Sequence, residues 1–446
     1  MRSKVSSIST LPLGEKIKQI RTSQKLSQLD IANAIDSNTM HVSRIERGQT
    51  ECAYDQLCKI KKALNVEGAP LTESEAEIFK SRLWLWNEVM TANRLHDANT
   101  MQEELSLITR LPFEKDLVLL YTMLDIRLLN KKGDIVTAQS RLEAVENEVK
   151  NSSIEIRNLF HRNMGYVCTW HPDWKSALAH YIKASKLESD DLKTDAQLLY
   201  GLGRAYFTTG KPFHALSYFE RAYKEYRGDS SNTMGPNIIT ELATCYMATG
   251  RFSKAKGLLT TSLAHARSQN DEINIIMCLV KLGIIYNKLG QHDEGLNYIE
   301  QAVMYIKPIE DISNDTSFVA AERTKLMNAT ILYNKAALLL DMKKHPQCME
   351  VLEQGKSLAE GVPQFNMMFD ALMCAINLKK RENRQYIETV VIPFIKNSPE
   401  VYTALEYCEL LEAYYRKHSA TKKAYEIAAI AKEIYKNMLY EEDSAG

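Results

Sequence analysis

The sequence is poor in glycine and proline, the two residues that most often interrupt helices. Eighteen glycines and eleven prolines are spread over 446 residues, and no alternating β-branched runs of the kind that forms strands stand out. This scarcity predicts a chain that is helical almost throughout. Hydrophobic residues make up 45% and charged residues 25% of the chain, which is typical of a soluble globular protein.

Long apolar runs and metal-binding spacings are also missing. No stretch reaches the roughly 18 residues of a membrane span, and the opening MRSKVSSISTLPLGEK has no apolar core long enough for a signal peptide. The eight cysteines include no CxxC pair and the ten histidines no HxxxH pair, so we expect no metal site and no cofactor. These absences predict a cytoplasmic chain with reduced thiols and no membrane partner.

No catalytic constellation can be recognised either. His161, His171 and His180 are close in sequence, but no acid, serine or cysteine is placed to complete a reactive group. A nucleotide-binding loop and a nucleophile–base pair are both lacking. The sequence therefore predicts a protein that is not an enzyme.

Charge of one sign is in excess only locally, because the chain has 56 basic and 56 acidic residues. Residues 1–68 contain eleven Lys and Arg against seven Asp and Glu. A basic segment is typical of phosphate binding. A surplus of four is too small for tight binding of DNA by a monomer, so we expect a homodimer on a two-fold operator.

The basic segment contains the stretch SQLDIANAIDSNTMHVSRIERGQ, which predicts two short helices around a tight turn. Ser27 and Asp30 have the spacing of a capping box, and Asn38 is a favourable N-cap for the second helix. The apolar stripe of the first helix is predicted to be Leu29, Ala32 and Ile35.

The second helix of this stretch is predicted to point Val42 and Ile45 inward. At about 100° per residue, its opposite side presents polar and basic side chains and one methionine. With a glutamine from the start of the preceding helix, the candidate DNA contacts are Gln28, Thr39, Met40, Ser43, Arg44 and Arg47.

The pattern LGEKIKQIR…LSQLDIANAI…VSRIERGQ…LCKIKKALNV resembles the helix-turn-helix of phage repressors and the Xre family. The resemblance implies that the helix starting near Thr39 enters the major groove and that Gln28 contacts a phosphate or supports a base contact. It also implies an internal ion pair between Arg21 and Glu46. Asp36 departs from the family, which usually has glycine in the turn. The alternative is a helix-turn-helix that contacts only protein.

The boundary of this segment is predicted at NVEGAPLTESEAE, where a Gly-Pro sequence precedes a helix-start signal. The next stretch, IFKSRLWLWNEVM, is apolar around most of its circumference, which predicts a buried helix. We expect this helix, with Trp84 and Trp86, to couple the two parts of the chain. The predicted domains are a DNA-binding domain over 1–68, linker and coupling helices over 69–108, and a repeat domain over 109–440.

The remaining chain repeats itself with a spacing of 40 residues in its centre, where Gly203, Ala243 and Gly283 stand at matching positions. Such small residues let two helices approach closely, and the glycines seven residues later are placed to end the first helix of each pair. The pattern matches the tetratricopeptide repeat, whose usual period is 34. The sequence therefore predicts an all-α chain in which a helix-turn-helix bundle precedes a right-handed superhelix of helix pairs.

The first helix of each pair should line the concave wall of such a superhelix. The inward positions are rich in residues that can bind a peptide backbone or a carboxylate. They are Arg162, Asn163, Tyr166, Gln197, Tyr200, Arg204, Asn237, Thr240, Thr244, Met247, Asn287, Tyr333 and Asn334. For each of them, simple solvent exposure or a hydrogen bond between helices is the alternative.

The order of the two parts resembles the RRNPP-type quorum-sensing regulators, which include NprR-like, PlcR-like and arbitrium-receptor-like proteins. The resemblance implies a transcription regulator whose DNA binding is switched by a short signalling peptide in the concave groove. The alternative is a receptor that acts mainly by binding a partner protein such as a response regulator. The operator, the peptide and the sign of the switch are not specified by the sequence.

Overall fold

The computed structural model describes residues 12–66, 73–106, 114–171, 173–187, 195–228, 235–313, 318–359, 362–398 and 401–439. Their regular secondary structure is helical, which confirms the predicted all-α class. The described residues up to Leu198 form one compact unit, and those from Leu199 onward form a second. The domain boundaries predicted at 68/69, at 108/109 and at 440 lie outside the described residues, so that division stays a prediction.

The first unit consists of four short helices followed by longer ones. These are α1 (Leu13–Ser23), α2 (Gln28–Ala34), α3 (Thr39–Glu46), α4 (Tyr54–Ala63), α5 (Glu73–Thr91), α6 (Leu95–Leu105), α7 (Lys115–Lys132), α8 (Ile135–Val149), α9 (Ile154–Trp170) and α10 (Trp174–Lys186). The next helix, α11 (Ala196–Thr208), contains the division between the units.

The four short helices, called the head below, close around one small core. Its buried members are Ile17, Ile31, Ala32, Ile35, Val42, Ile45, Leu57, Ile60 and Leu64. A Cβ at Gly14 would lie 2.0 Å from the carbonyl oxygen of Ile45. Only glycine therefore permits the close approach of α1 to the end of α3.

The predicted coupling helix is α5, and it is largely buried in the first unit. Trp86 is fully buried, donates its indole N–H to the carbonyl of Ala98 at 2.8 Å, and stacks on Tyr121 with ring centroids 5.4 Å apart. Ile78 and Leu85 remain exposed. The helix is thus packed on one broad side, and its role in coupling remains a prediction.

The second unit continues as helix pairs. It contains α12 (Pro212–Gly228), α13 (Gly235–Ala248), α14 (Phe252–Ser268), α15 (Glu272–Lys288), α16 (His292–Ser313), α17 (Phe318–Asp341), α18 (His345–Leu358), α19 (Pro363–Ile376), α20 (Arg381–Tyr386), α21 (Ile392–Ile395), α22 (Val401–Lys417) and α23 (Thr421–Leu439). A single π-helical turn, Ile387–Val391, joins α20 to α21.

The repeat glycines act as predicted. Gly210, Gly250 and Gly290 have φ values of 78°, 72° and 75°, the left-handed conformation that ends a helix. A Cβ at Gly283 would lie 2.7 Å from the side chain of Ile299 and 3.1 Å from the carbonyl of Gly295. Small residues therefore set the distance between α15 and α16.

Candidate functional site

The two helices of the head's turn are fixed at their N-termini as the sequence predicts. Ser27 accepts a hydrogen bond from the backbone N–H of Asp30, whose carboxylate accepts one from the backbone N–H of Ser27 at 2.6 Å. The side chain of Asn38 accepts from the N–H of His41 at 2.8 Å and so caps α3. These caps define where α2 and α3 begin.

The outer side of α3 is exposed to solvent at most of the predicted positions. Met40 is 65% exposed, and Thr39, Arg44 and Arg47 are exposed as well, whereas Ser43 is half-buried. Val42 and Ile45 are buried on the opposite side. The helix therefore presents an apolar side chain, a hydroxyl and two guanidinium groups together, a combination suited to base edges and phosphates.

The implied internal ion pair of the head is present. Arg21 donates from Nε to Oε1 of Glu46 at 2.6 Å and from a terminal nitrogen to Oε2 at 3.1 Å. Gln28 is half-buried and donates its amide N–H to Oε2 of Glu46 at 2.8 Å. This network joins the start of α2 to the end of α3. The side-chain carbonyl oxygen of Gln28 can still accept a hydrogen bond from another group.

Leu29 in α2 and Asp36 in the turn are the two positions where the head departs from an expected pattern. Leu29 was expected in the apolar stripe of α2, but this is wrong, because its side chain is 57% exposed and Ile31 is buried instead. Asp36 has the left-handed φ of 53° that a glycine would favour. Its carboxylate accepts from Nζ of Lys59 at 2.7 Å, which adds a contact that glycine lacks.

In the first unit, two of the predicted inner residues are hydrogen-bonded to groups of neighbouring segments. Asn163 is buried, and its amide donates to the carbonyl of Met123 at 2.8 Å and accepts from Asn130. Arg162 donates to both carboxylate oxygens of Asp195, at 2.6 and 2.7 Å. Both side chains therefore join neighbouring helices, the alternative that the sequence left open.

Gln197 belongs to a polar cluster around Arg127, which sequence reasoning missed. Arg127 is 5% exposed and donates to side-chain oxygens of Asn87, Thr91 and Gln197, all neutral. Burial, and then the charge of Arg162, lowers the pKa of Arg127 to about 10. The signal was present as a lone arginine in the apolar run LLYTMLDIRLLN.

In the second unit, five of the predicted inner residues line one cavity of about 750 Å³. They are Thr244, Met247, Asn287, Tyr333 and Asn334. The walls also include apolar side chains from several helices, namely Phe207, Phe252, Ile284, Leu338, Leu340 and Leu372. A concave, largely apolar cavity with a few polar groups is the usual form of a ligand site.

Polar side chains that line this cavity are bonded to one another or to neighbouring groups. Asn287 donates to a carboxylate oxygen of Asp341 at 2.6 Å and accepts from His292. Lys288 forms an ion pair with Glu406. The hydroxyl of Thr244 accepts from Nζ of Lys281 at 2.7 Å. The amide of Asn334 donates to the carbonyl of Thr330 at 2.8 Å, so its carbonyl oxygen is the atom that can accept from a ligand.

One wall of the cavity comes from α22, which the sequence did not indicate. This helix contributes Tyr402, Thr403, Glu406, Tyr407 and Leu410. Burial, with a further contribution from Tyr333, raises the pKa of the Tyr407 phenol well above its ordinary value. The sequence carried little signal for this wall, because the 40-residue spacing of the repeats was recognised only in the centre of the chain.

The other predicted inner residues lie elsewhere. Tyr166 packs against the core of the first unit. In the second unit, the guanidinium carbon of Arg204 is 5.9 Å from the ring centroid of Tyr200, Thr240 donates to the carbonyl of Pro236, and Asn237 is exposed. None of these five is among the residues that line the cavity.

Among the residues that the structure describes, no group of three or more His, Cys, Asp or Glu side chains could hold a metal ion. No helix in the described ranges is long and apolar enough to cross a membrane. The seven cysteines whose side chains are described are all free thiols.

Comparison with known families agrees with the two kinds of structure seen in the chain. The helix-turn-helix family matches residues 17–71, and the tetratricopeptide repeat family matches residues 278–307. Both families are known chiefly as binding domains, of DNA and of peptides or proteins respectively. No curated protein sequence matches the chain.

Several solved structures resemble a larger part of the chain than these family matches do. The apo form of the quorum sensor NprR from B. thuringiensis is 17% identical, and the alignment covers 80% of this chain and 99% of that one with a TM-score of 0.59. NprR in complex with its cognate peptide NprX is 18% identical over the same shares, with a TM-score of 0.61. A Rap protein complexed with competence and sporulation factor is 14% identical over 81% of this chain and 99% of that one, with a TM-score of 0.61.

These likenesses confirm the resemblance that the sequence predicted, at the level of the fold. The chain carries a helix-turn-helix domain and a tetratricopeptide repeat, and it shares the fold of the NprR and Rap proteins.

Proposed function

We propose that this protein is a DNA-binding transcription regulator whose activity is switched by a short signalling peptide. The observation that carries the proposal is the combination of an exposed recognition helix with a cavity of about 750 Å³ at the predicted inner positions of the repeats. NprR is known in complex with a cognate peptide, and this fold is shared. A regulator of this kind acts in the cytoplasm, where the DNA is.

The DNA contacts are assigned to the outer side of α3. Arg44 and Arg47 supply charge for phosphates or guanine edges, Thr39 supplies a hydroxyl, and Met40 is suited to a thymine methyl group. Gln28 and Ser43 support this surface from its edge. The helix is short and the charge surplus of the head small, so a homodimer on half-sites one helical turn apart supplies the affinity that one head lacks.

The peptide contacts are assigned to the cavity of the second unit. The side-chain carbonyl oxygen of Asn334 can accept from a peptide N–H, Asn287 can pair with a peptide by exchanging its bonds to Asp341 and His292, and the apolar walls can hold one or two side chains. Of the predicted inner residues, only the five that line this cavity are proposed to contact the peptide. The alternative, a receptor that acts mainly by binding a partner protein, is supported by the likeness to Rap proteins. The experiment below distinguishes it from a DNA-binding regulator.

The test uses the full chain, a duplex from the region upstream of its own gene, and a synthetic peptide from the short reading frame beside that gene. We expect Arg44→Ala to lower affinity for the duplex at least about tenfold without changing peptide affinity. We expect Ala337→Phe, which fills a cavity position, to abolish peptide binding without changing affinity for the duplex.

Lys175→Ala, on a helix remote from both surfaces in sequence, is the matched control and should change neither affinity. Peptide binding without any duplex binding, in a protein that captures a response regulator, would favour the alternative. Failure to bind both the duplex and the peptide would contradict the proposal.

A further inference from the structure

A buried ion pair joins the head to the rest of the first unit. Nζ of Lys16, on α1, lies 2.5 Å from Oε1 of Glu114, the residue that precedes α7. The side chains are only 5% and 2% exposed. The two residues are 98 positions apart in sequence, so this contact is a tertiary one between the head and the longer helices.

Glu114 stands at the start of α7, from where its carboxylate reaches Lys16 on α1. Glu114 is the N-cap residue of α7, but its side chain makes no capping hydrogen bond to that helix. A carboxylate at this place could have satisfied the free N–H groups of the first turn. It extends to Lys16 instead, and both charges are withdrawn from water.

Burial makes the pair a determinant of geometry more than of stability. Removing two charges from water is costly, and their attraction roughly compensates for this cost only when the geometry is good. Either charge left alone in the same place would be strongly unfavourable. The pair therefore favours one placement of α1 against α7 and disfavours others.

The same helix connects this contact to the polar cluster of the first unit. Arg127 lies thirteen residues after Glu114 on α7, which corresponds to about 20 Å along a rigid helix. Meanwhile the recognition side of α3 is uninvolved, since Met40 is 65% exposed. The ion pair orients the head without covering its DNA-binding surface.

We infer that the Lys16–Glu114 ion pair is the contact that fixes the head on α7 and transmits movement of α7 to the recognition helix. This inference rests on the proposed function, because it assigns a route to the switch. In a dimer, the separation of the two heads has to match two half-sites, so an orientation set by one buried contact controls affinity for DNA.

The first experiment needs neither peptide nor DNA. Hydrogen exchange is measured on the full chain for Glu114→Gln, for Lys16→Met and for the double variant. Each single variant removes the ion pair and keeps one of its two charges, and exchange at α1 and at the start of α7 should rise about tenfold or more. The double variant removes both charges and should recover most of the protection, because no lone charge remains buried.

A matched control is the ion pair between Arg82 and Glu104, in which both side chains are more than half exposed. Arg82→Met and Glu104→Gln should leave exchange at α1 unchanged. Unchanged exchange in the Lys16 and Glu114 variants would overturn the inference. A loss of protection throughout the first unit that the double variant does not repair would also overturn it, since the pair would then be a general structural contact.

The second experiment measures affinity for the upstream duplex with and without the synthetic peptide. In Glu114→Gln, the factor by which the peptide changes affinity for the duplex should fall towards one. Affinity for the peptide itself should stay as in the wild type. If the wild type shows no response to the peptide but exchange at α1 rises in the variant, the proposed function fails and the docking contact stands. A full peptide response in the variant would overturn the inference and leave the proposed function intact.

Discussion

The inner positions of the two units have the same kinds of side chain but different partners. In the first unit, Arg162, Asn163 and Gln197 are bound to other side chains and backbone groups of the protein. In the second, Asn287, Tyr333 and Asn334 line an open cavity. The inner residues of the second unit therefore border a cavity while keeping protein partners of their own, such as Asp341 for Asn287.

Three charged groups lie among the inner residues of the first unit. Arg127, Arg162 and Asp195 interact there, and hydrogen bonds relieve the cost of taking their charges out of water. Burial acts to raise the pKa of Asp195, but the charge and hydrogen bonds of Arg162 bring it below its ordinary value. The amides around this group then serve as structural partners.

The largest effect is expected from Asn163→Ala. It removes the hydrogen bonds to the Met123 carbonyl and to Asn130 inside the first unit, so the free energy of unfolding should fall by about 2–3 kcal/mol. Urea unfolding followed by circular dichroism measures it. Asn237→Ala, at an exposed position of α13, is the control and should stay within about 0.5 kcal/mol of the wild type. A wild-type stability for Asn163→Ala would contradict the structural role given to the first unit's inner residues.

The next effect tests the packing that shapes the second unit. Gly283→Ala should lower the free energy of unfolding by about 1–3 kcal/mol, because its Cβ would clash with Ile299 and Gly295. Gly257→Ala, where a Cβ meets nothing within 4 Å, should raise it by about 0.5–1 kcal/mol through helix propensity. Equal effects of the two substitutions would show that α15 and α16 are not held at the close distance described.

Asn334→Ala should separate binding from stability in the second unit. Its amide bonds only to a carbonyl of its own helix, so the loss should change unfolding by less than about 0.5 kcal/mol. Affinity for the synthetic peptide should fall about tenfold, or 1.4 kcal/mol, as titration calorimetry would measure. A substantial loss of stability with unchanged peptide affinity would place Asn334 with the structural residues of the first unit.

The smallest effect concerns pH and is confined to the first unit. His161 and His180 face each other with their Nδ1 atoms 3.0 Å apart. Burial, and then the neighbouring His180, lowers the pKa of His161 to about 4. Between about pH 6.5 and 4 the unfolded chain binds a proton that the folded chain does not, so stability should fall as the pH is lowered.

Urea midpoints at pH 7 and pH 5 measure this dependence, and His161→Gln should weaken it. A stability that is independent of pH over this interval would contradict the burial of the histidine pair.

Much of the fold could be predicted because its signals are local. Capping residues such as Ser27 and Asn38 and the glycines of the central repeats depend on the backbone within a few residues. The segment between Ile376 and Val401 could not be predicted, since short helices and a π-helical turn replace the repeat there. Leu29 was misplaced because three-residue spacing alone does not distinguish it from Ile31.

The site could be predicted only in part, for a different reason. The outer side of α3 follows from helical periodicity, so its exposed residues were recognised in the sequence. Whether Asn163 or Asn334 faces a ligand depends on partners distant in sequence, such as Met123. The wall formed by α22 depends on how the last helices fold back on α15 and α17, which no local pattern records.

The central claim is that peptide and DNA binding are thermodynamically coupled through one chain. The most direct measurement is the affinity of the full chain for the synthetic peptide, free and saturated with the upstream duplex, alongside its affinity for the duplex with and without peptide. The account predicts that both affinities change by the same factor, about 5-fold to 150-fold, as linkage requires. Equal peptide affinities in the free and the DNA-bound protein would contradict it.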